Sequence, residues 1–169
     1  MKKLKTLLIV AALFLGANQI ASAQAKIAHV DVQEIMTKMP AVLDAQKQLE
    51  KLSQTYQADY KTMGEEYQAK LKKYEAEAPT VSEKMNIERQ KEVQDMERRI
   101  QEFGQTAQKE LQTKETDLMK PIEEKVKTAI QKIGKAKGFQ YVMNSAGLLL
   151  ADGPNLTADV KKELGFPAK

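Results

Sequence analysis

The chain has 169 residues, 30% of them charged, with no cysteine, no tryptophan and an aromatic content of only 5%. Disulfide stapling and thiol catalysis are therefore excluded, and the composition suits an elongated or oligomeric protein better than a compact single core. The formal charge of +4 overstates the basicity of the working chain, because its first segment carries three unopposed lysines.

That segment, residues 1–23, reads as a secretory signal. "MKKLK" is a basic start, "TLLIVAALFLGA" is an apolar run too short for a membrane span, and "ASA" at 21–23 supplies a signal-peptidase pattern. Cleavage is expected after Ala23. A lipoprotein signal would need a cysteine at that point, and no later apolar run is long enough to cross a bilayer. The short basic start fits a bacterial signal, so the expected location is the periplasm. Losing Lys2, Lys3 and Lys5 reduces 27 basic residues to 24, against 23 acidic ones. A near-neutral chain lacks the basic stripe that a nucleic-acid partner requires. Lys70, Lys72 and Lys73 are flanked by acids and read as a solvated helix face.

Next comes "KIAHVDVQEIM", a β-branched run predicted as a strand over residues 27–32 that passes into a helical pattern. Pro40 suits the first turn of a long helix. From there Leu49, Leu52, Tyr56, Tyr60, Met63, Tyr67, Leu71, Tyr74 and Ala78 recur in steps of three and four. The rhythm averages about 3.67 residues per turn, which gives a straight or slightly right-handed seam. Four of the five tyrosines thus belong to one apolar stripe, where rings can line a seam while hydroxyls reach water at its edge.

Pro79 must end this helix, and Thr80 with Glu83 forms a capping-box pattern for a new one. A second stripe runs from Met85 through Met96, Ile100, Phe103, Leu111, Ile122 and Val126 to Ile133, and Gly138 closes it. Pro121 lies inside and is expected to kink or break the helix. Two helices with narrow stripes and a tight joint predict an antiparallel hairpin, its first arm roughly 57 Å long. Gly64 and Gly104 cost about 1 kcal/mol each against alanine; closer helix approach and bending both stand as readings.

After Gly138 the sequence reads as strand, turn, strand, loop and short helix, with strands over 139–144 and 148–152. Three short strands from opposite ends of the chain make too small a sheet, with exposed edges. Closing copies around an axis would cover those edges. The predicted class is α+β: a small β-rich oligomerisation body, which the family resemblance given below implies is β-barrel-like, bearing one long antiparallel helical hairpin per subunit. The body takes 24–39 and 138–169, and the arm 40–137 with its tip near 78–81. Ile27, Val30, Val32, Phe139, Tyr141, Val142, Leu148 and Leu150 are the oligomer-body candidates.

The stretches "KIAHVDVQEIMTKMP" leading into "AQKQLEKL", "KPIEEKVKTAIQKIGKAKGFQYVMNSAGLLLADG" and "LTADVKKELG" are those of a known family. The chain resembles the Skp/OmpH family of periplasmic chaperones over essentially its whole mature length. One departure is Asn155-Leu156-Thr157, where an Asp-Ile-Thr-like start to the last helix is expected. The resemblance implies a homotrimer with a β-barrel body and three helical tentacles around a cavity. It also implies ATP-independent holding of unfolded outer-membrane β-barrel proteins, with no cofactor. No G-x-x-x-x-G-K-[ST] loop is present for a Walker-type ATPase. Candidate client contacts are Met63, Tyr67, Tyr74, Met85 and Met96, adaptable side chains toward the distal half of the arm. The opposing reading packs all five within the hairpin.

Catalysis finds no support. His29 is the lone histidine, Ser53, Ser82 and Ser145 have no base obviously in reach, and no spacing suggests a metal site. A structural coiled-coil spacer of the envelope is the alternative function. Low net charge limits contact with anionic lipid or lipopolysaccharide to a weak side activity. Asn155-Leu156-Thr157 also fits a glycosylation sequon, but in a bacterial export product it reads as a loop and helix start.

Overall fold

The computed structural model describes residues 25–167; the expected signal segment and its cleavage point lie outside the described residues. Strand β1 (Ile27–Val30) stops two residues earlier than its apolar run. Asp31 ends it by turning into a helix cap, its carboxylate accepting the Glu34 N–H at 2.8 Å. Helix α1 (Val32–Lys38) follows, then α2 (Pro40–Glu77) with proline in its first turn. The 38 residues of α2 match the arm length predicted from Pro40 and Pro79.

The joint is a 3-10 turn, Ala78–Thr80, and helix α3 (Glu83–Ala136) begins after it. The cap is Ser82 rather than the expected Thr80. Thr80 is still inside the turn, so its hydroxyl donates back to the Glu77 carbonyl at 2.8 Å. Ser82, in extended backbone, accepts the Met85 N–H at 3.3 Å instead. Helix α3 also runs through Pro121 without the expected break. Pro121 is exposed while its neighbour Ile122 is buried, so the backbone bond it forfeits lies on the water side of the helix. Gly138, at φ +74, supplies the left-handed turn that ends the helical run.

Strand β2 (Tyr141–Asn144) lies parallel to β1, with Ile27 beside Tyr141 and Val30 beside Asn144. A parallel pair needs a crossover, and here the whole helical arm is that crossover. The second expected strand pairing does not form. Ser145–Gly147 makes a 3-10 turn, the Leu148 N–H bonds back to Ser145, and the chain is led off the sheet with Leu149 fully exposed. The far side of β1 is taken instead by Pro154–Leu156: His29 N–H donates to Pro154 and Leu156 N–H to His29, both at 2.9 Å. One chain therefore holds an open sheet, not a closed barrel, and β2 is its outer edge.

Helix α4 (Thr157–Glu163) closes the body. Asn155 accepts the Thr157 N–H at 2.9 Å, and the Thr157 hydroxyl accepts the Asp31 N–H at 2.8 Å. The unusual asparagine thus acts only as an acceptor, which an aspartate would serve equally well. The core joins Val30, Ile35, Val42, Val126, Leu156 and Val160 with their neighbours. Each such side chain contributes on the order of 1.5–3 kcal/mol by leaving water. Gly134 is required where α3 crosses β2, since a Cβ there would stand 2.8 Å from Val142 Cγ2. Lys161, completely buried, donates to the Glu34 carboxylate and ties α4 to α1. Two further pairs fasten the end of α3 to α4, Lys132–Glu163 at 2.5 Å and Lys137–Asp159 at 2.8 Å.

Candidate functional site

The two stripes meet as an antiparallel seam. Close to the midpoint of α2, Tyr56 donates to Glu110 and packs edge-on against Phe103, centroids 5.9 Å apart. Near its tip Tyr74 donates to Glu92 at 2.5 Å. Moving about five turns along α2, from Tyr56 to Tyr74, is matched by the same five turns along α3. The register is thus constant, and the hydroxyls of Tyr56 and Tyr74 find carboxylates across the seam rather than the water expected from sequence, while Tyr60 stays half exposed.

The tip is the most tightly knotted part of the arm. Lys70 shares Glu92 with Tyr74, Arg89 lies 4.6 Å above the Tyr74 ring and donates to Glu77 at 2.5 Å, and Asn86 donates to the Ala78 carbonyl at 3.0 Å. Lys70 and then Tyr74 hold the Glu92 carboxyl below its ordinary range. The same carboxylate, as acceptor, raises Tyr74 above the usual phenol value, and Glu110 raises Tyr56 in the same way.

Between these fastenings the two flanks of the seam differ. At about 100° per residue, Gly64 and Met63 fall on opposite sides of the line through Tyr60 and Tyr67. On the Met63 side the packing leaves a recess of about 90 Å³ lined by Met63, Glu66, Met96, Arg99 and Ile100. On the Gly64 side a groove of about 790 Å³ opens, with Tyr60, Tyr67 and Ile100 in its lining.

The five contact candidates are therefore dispersed. Met63 and Met96 share the small recess, Tyr67 lines the groove, Tyr74 is engaged by Glu92 and Arg89, and Met85 is exposed beside the tip. The groove was not legible as a site, although an isolated glycine inside a strong helical pattern was a signal for it. Of the body candidates, Val30 is buried within its own chain, and Val32, Phe139, Val142 and Leu148 are half-buried. Ile27, Tyr141 and Leu150 are exposed, as are Met143 and Leu149, which the sequence reading did not name.

Nothing in this arrangement performs bond chemistry. Among the described residues no cluster of acidic or histidine side chains could hold a metal, and no helix is long and apolar enough to cross a membrane. Residues 26–164 match the model of the outer membrane protein (OmpH-like) family. The chain belongs to the OmpH-like family. It is 31% identical over 166 residues, covering 95% of this chain and 99% of the relative, to the chaperone protein Skp of Photorhabdus luminescens. The chaperone protein Skp of Pectobacterium atrosepticum is 24% identical over 153 residues, covering 90% and 93%. A crystal structure of an OmpH-like putative outer membrane chaperone from Caulobacter crescentus superposes with a TM-score of 0.76. At 17% identity, over 84% of this chain and 85% of that one, it shares the OmpH-like fold. Skp/OmpH proteins are periplasmic chaperones, not enzymes, and this OmpH-like chain has a chaperone role.

Proposed function

We propose that the chain is an ATP-independent holdase of the periplasm that binds unfolded outer-membrane β-barrel proteins and keeps them from aggregating. It acts as a homotrimer. The body, 24–39 with 138–169, closes its sheets around an axis, and the arms, 40–137 with tips near 78–81, enclose a cavity. The observation that carries this reading is the half-buried stripe of the arm. Tyr60 keeps half its surface in water, and Met85 and Ile87 are exposed near the tip. Such a stripe offers many weak apolar contacts without a fixed pocket, which suits clients that share exposed strands rather than one shape. Met63, Tyr67, Tyr74, Met85 and Met96 are the proposed contacts, with Met85 the most exposed of the five. Trimer formation is supported by the free outer edge of β2, where Tyr141 and Met143 are exposed, and by the bare Leu149 and Leu150.

The test uses the chain from Gln24 without nucleotide. A denatured outer-membrane β-barrel protein is diluted into it while light scattering is followed and the mass of the assembly is determined. The expected result is suppressed scattering at about one trimer per client. A trimer that leaves aggregation untouched would sink the holdase and favour a structural coiled-coil spacer.

A further inference from the structure

Gly64 stands in the middle of α2, where alanine would be the better helix former. Neither reason for keeping a helical glycine is visible. Its φ is not in the left-handed region, and a Cβ built on it meets nothing within 4 Å. Gly104 differs, since a Cβ there would touch the Tyr60 ring at 3.6 Å. Close helix approach therefore does not explain Gly64. What its missing side chain does is open the groove on one flank of the seam, while the opposite flank at the same level is filled by Met63 and Met96.

We propose that this groove is a binding subsite for a neutral, extended segment of unfolded polypeptide, and that Gly64 is its specificity-determining residue. The inference rests on the holdase reading and names where on the arm one part of the client sits. The floor is apolar and aromatic, with Tyr60, Tyr67 and Ile100. The rim carries two lysines, Lys61 and Lys72, against two glutamates, Glu65 and Glu97, and Lys61 pairs with Glu65 at 3.6 Å. A balanced rim gives no net attraction to an anionic headgroup or an acidic peptide, so the complementary occupant is uncharged. Gln68 and Gln101 add amides at the edge, suited to the unpaired backbone of an extended chain. A strand destined for a barrel offers that chemistry, with apolar side chains alternating with polar ones along a bare backbone. The volume of about 790 Å³ exceeds one side chain and fits a short segment.

The test compares the full chain with Gly64→Leu and Gly64→Ala, and with Arg99→Lys as a charge-conserving change on the other flank. Helicity, melting temperature and mass are measured for each. Binding is read with a labelled, uncharged eight-residue peptide alternating aromatic and small polar residues, and with the scattering assay on a denatured β-barrel protein. Gly64→Leu is expected to weaken the peptide about tenfold, the loss of one well-buried side-chain contact, with helicity and mass unchanged. Gly64→Ala is expected to raise the melting temperature while weakening the peptide less, and Arg99→Lys to leave binding as it was. A stabilising change that impairs binding is not what a structural glycine would give. If Gly64→Leu folds and binds the peptide as the parent does, the groove proposal is wrong while the holdase stands. If the parent itself neither binds peptide nor suppresses scattering, the holdase reading fails and takes the groove with it. Two other occupants would also overturn it. Phospholipid vesicles bound more tightly than peptide, with the binding lost in Gly64→Leu, would give the groove to acyl chains. A concentration-dependent rise in mass lost in Gly64→Leu would give it to a second copy. Should Gly64→Leu lose helicity, Gly64→Ala decides, because its single methyl meets open space.

Discussion

The body and the arm are built from one chain by opposite means. In the body Ile35 and Val160 are entirely buried and Lys161 is sealed in with them, so a few side chains concentrate the stability. In the arm, between Ala45 and Ile122, only Ala107 is buried among the described residues. The hairpin instead repeats a modest fastening, a tyrosine across to a glutamate, with basic side chains around it. The difference teaches that an arm can be long and well registered without being dry. A surface left half wet is what allows it to meet other chains.

The largest expected effect lies in the body. Ile35→Ala removes a side chain that packs between α1 and the core, and a loss of about 2–5 kcal/mol in unfolding free energy follows from such a deletion. Urea unfolding followed by circular dichroism measures it. Leu52→Ala, at a half-buried seam position of the arm, is expected to cost well under half as much. Equal losses at the two sites would break the contrast between a concentrated core and a distributed seam.

Much of this contrast is readable in the sequence, because it is written in periodicity. The stripe from Leu49 to Ala78 and the prolines at 40 and 79 bracketed α2, with Ala78 falling into the turn instead, and the sparse apolar content foretold a wet seam. What was not readable depended on contacts between distant segments. Residues 148–152 alternate like a strand, yet a strand exists only with a neighbour, and in one chain β1 is flanked by β2 and by Pro154–Leu156 instead. Thr80 and Ser82 are both competent caps, and the choice fell on the one left over when the turn after Pro79 had used the other. Lys161 looked like any helix-face lysine until Glu34, 127 residues away in sequence, proved to be its partner. The groove at Gly64 required knowing that open space stands where its side chain would be.

A middle-sized effect is the pH dependence of the body's closure. Lys161 first, and then Lys38, hold the Glu34 carboxyl below its ordinary value of 4.5. A carboxyl depressed in the folded state adds stability above its unfolded pKa, and that stability is lost as pH falls from about 4.5 through the lower folded value. Acid should therefore loosen the α1–α4 closure of the body. Glu34→Gln is expected to flatten the dependence of body unfolding on pH below about 4.5 and to lower stability at neutral pH. An unchanged acid profile in Glu34→Gln would mean that the closure depends on packing around Lys161 and not on its charge pair.

The smallest expected effect tests whether the arm is as redundant as its repeated fastenings imply. Tyr74→Phe deletes one hydroxyl and leaves the ring beneath Arg89, while Lys70 still holds Glu92 and Arg89 still holds Glu77. A partly exposed bond of this kind contributes on the order of 1 kcal/mol or less, and its neighbours remain, so global melting should move little. The loss belongs to local opening of the last turns beside Ala78–Thr80, where hydrogen exchange of the backbone amides should quicken several-fold while those of α1 and α4 stay as they were. Exchange that rises along the whole arm would show instead that the tip knot sets the register for the entire seam, and that the arm opens as one unit rather than link by link.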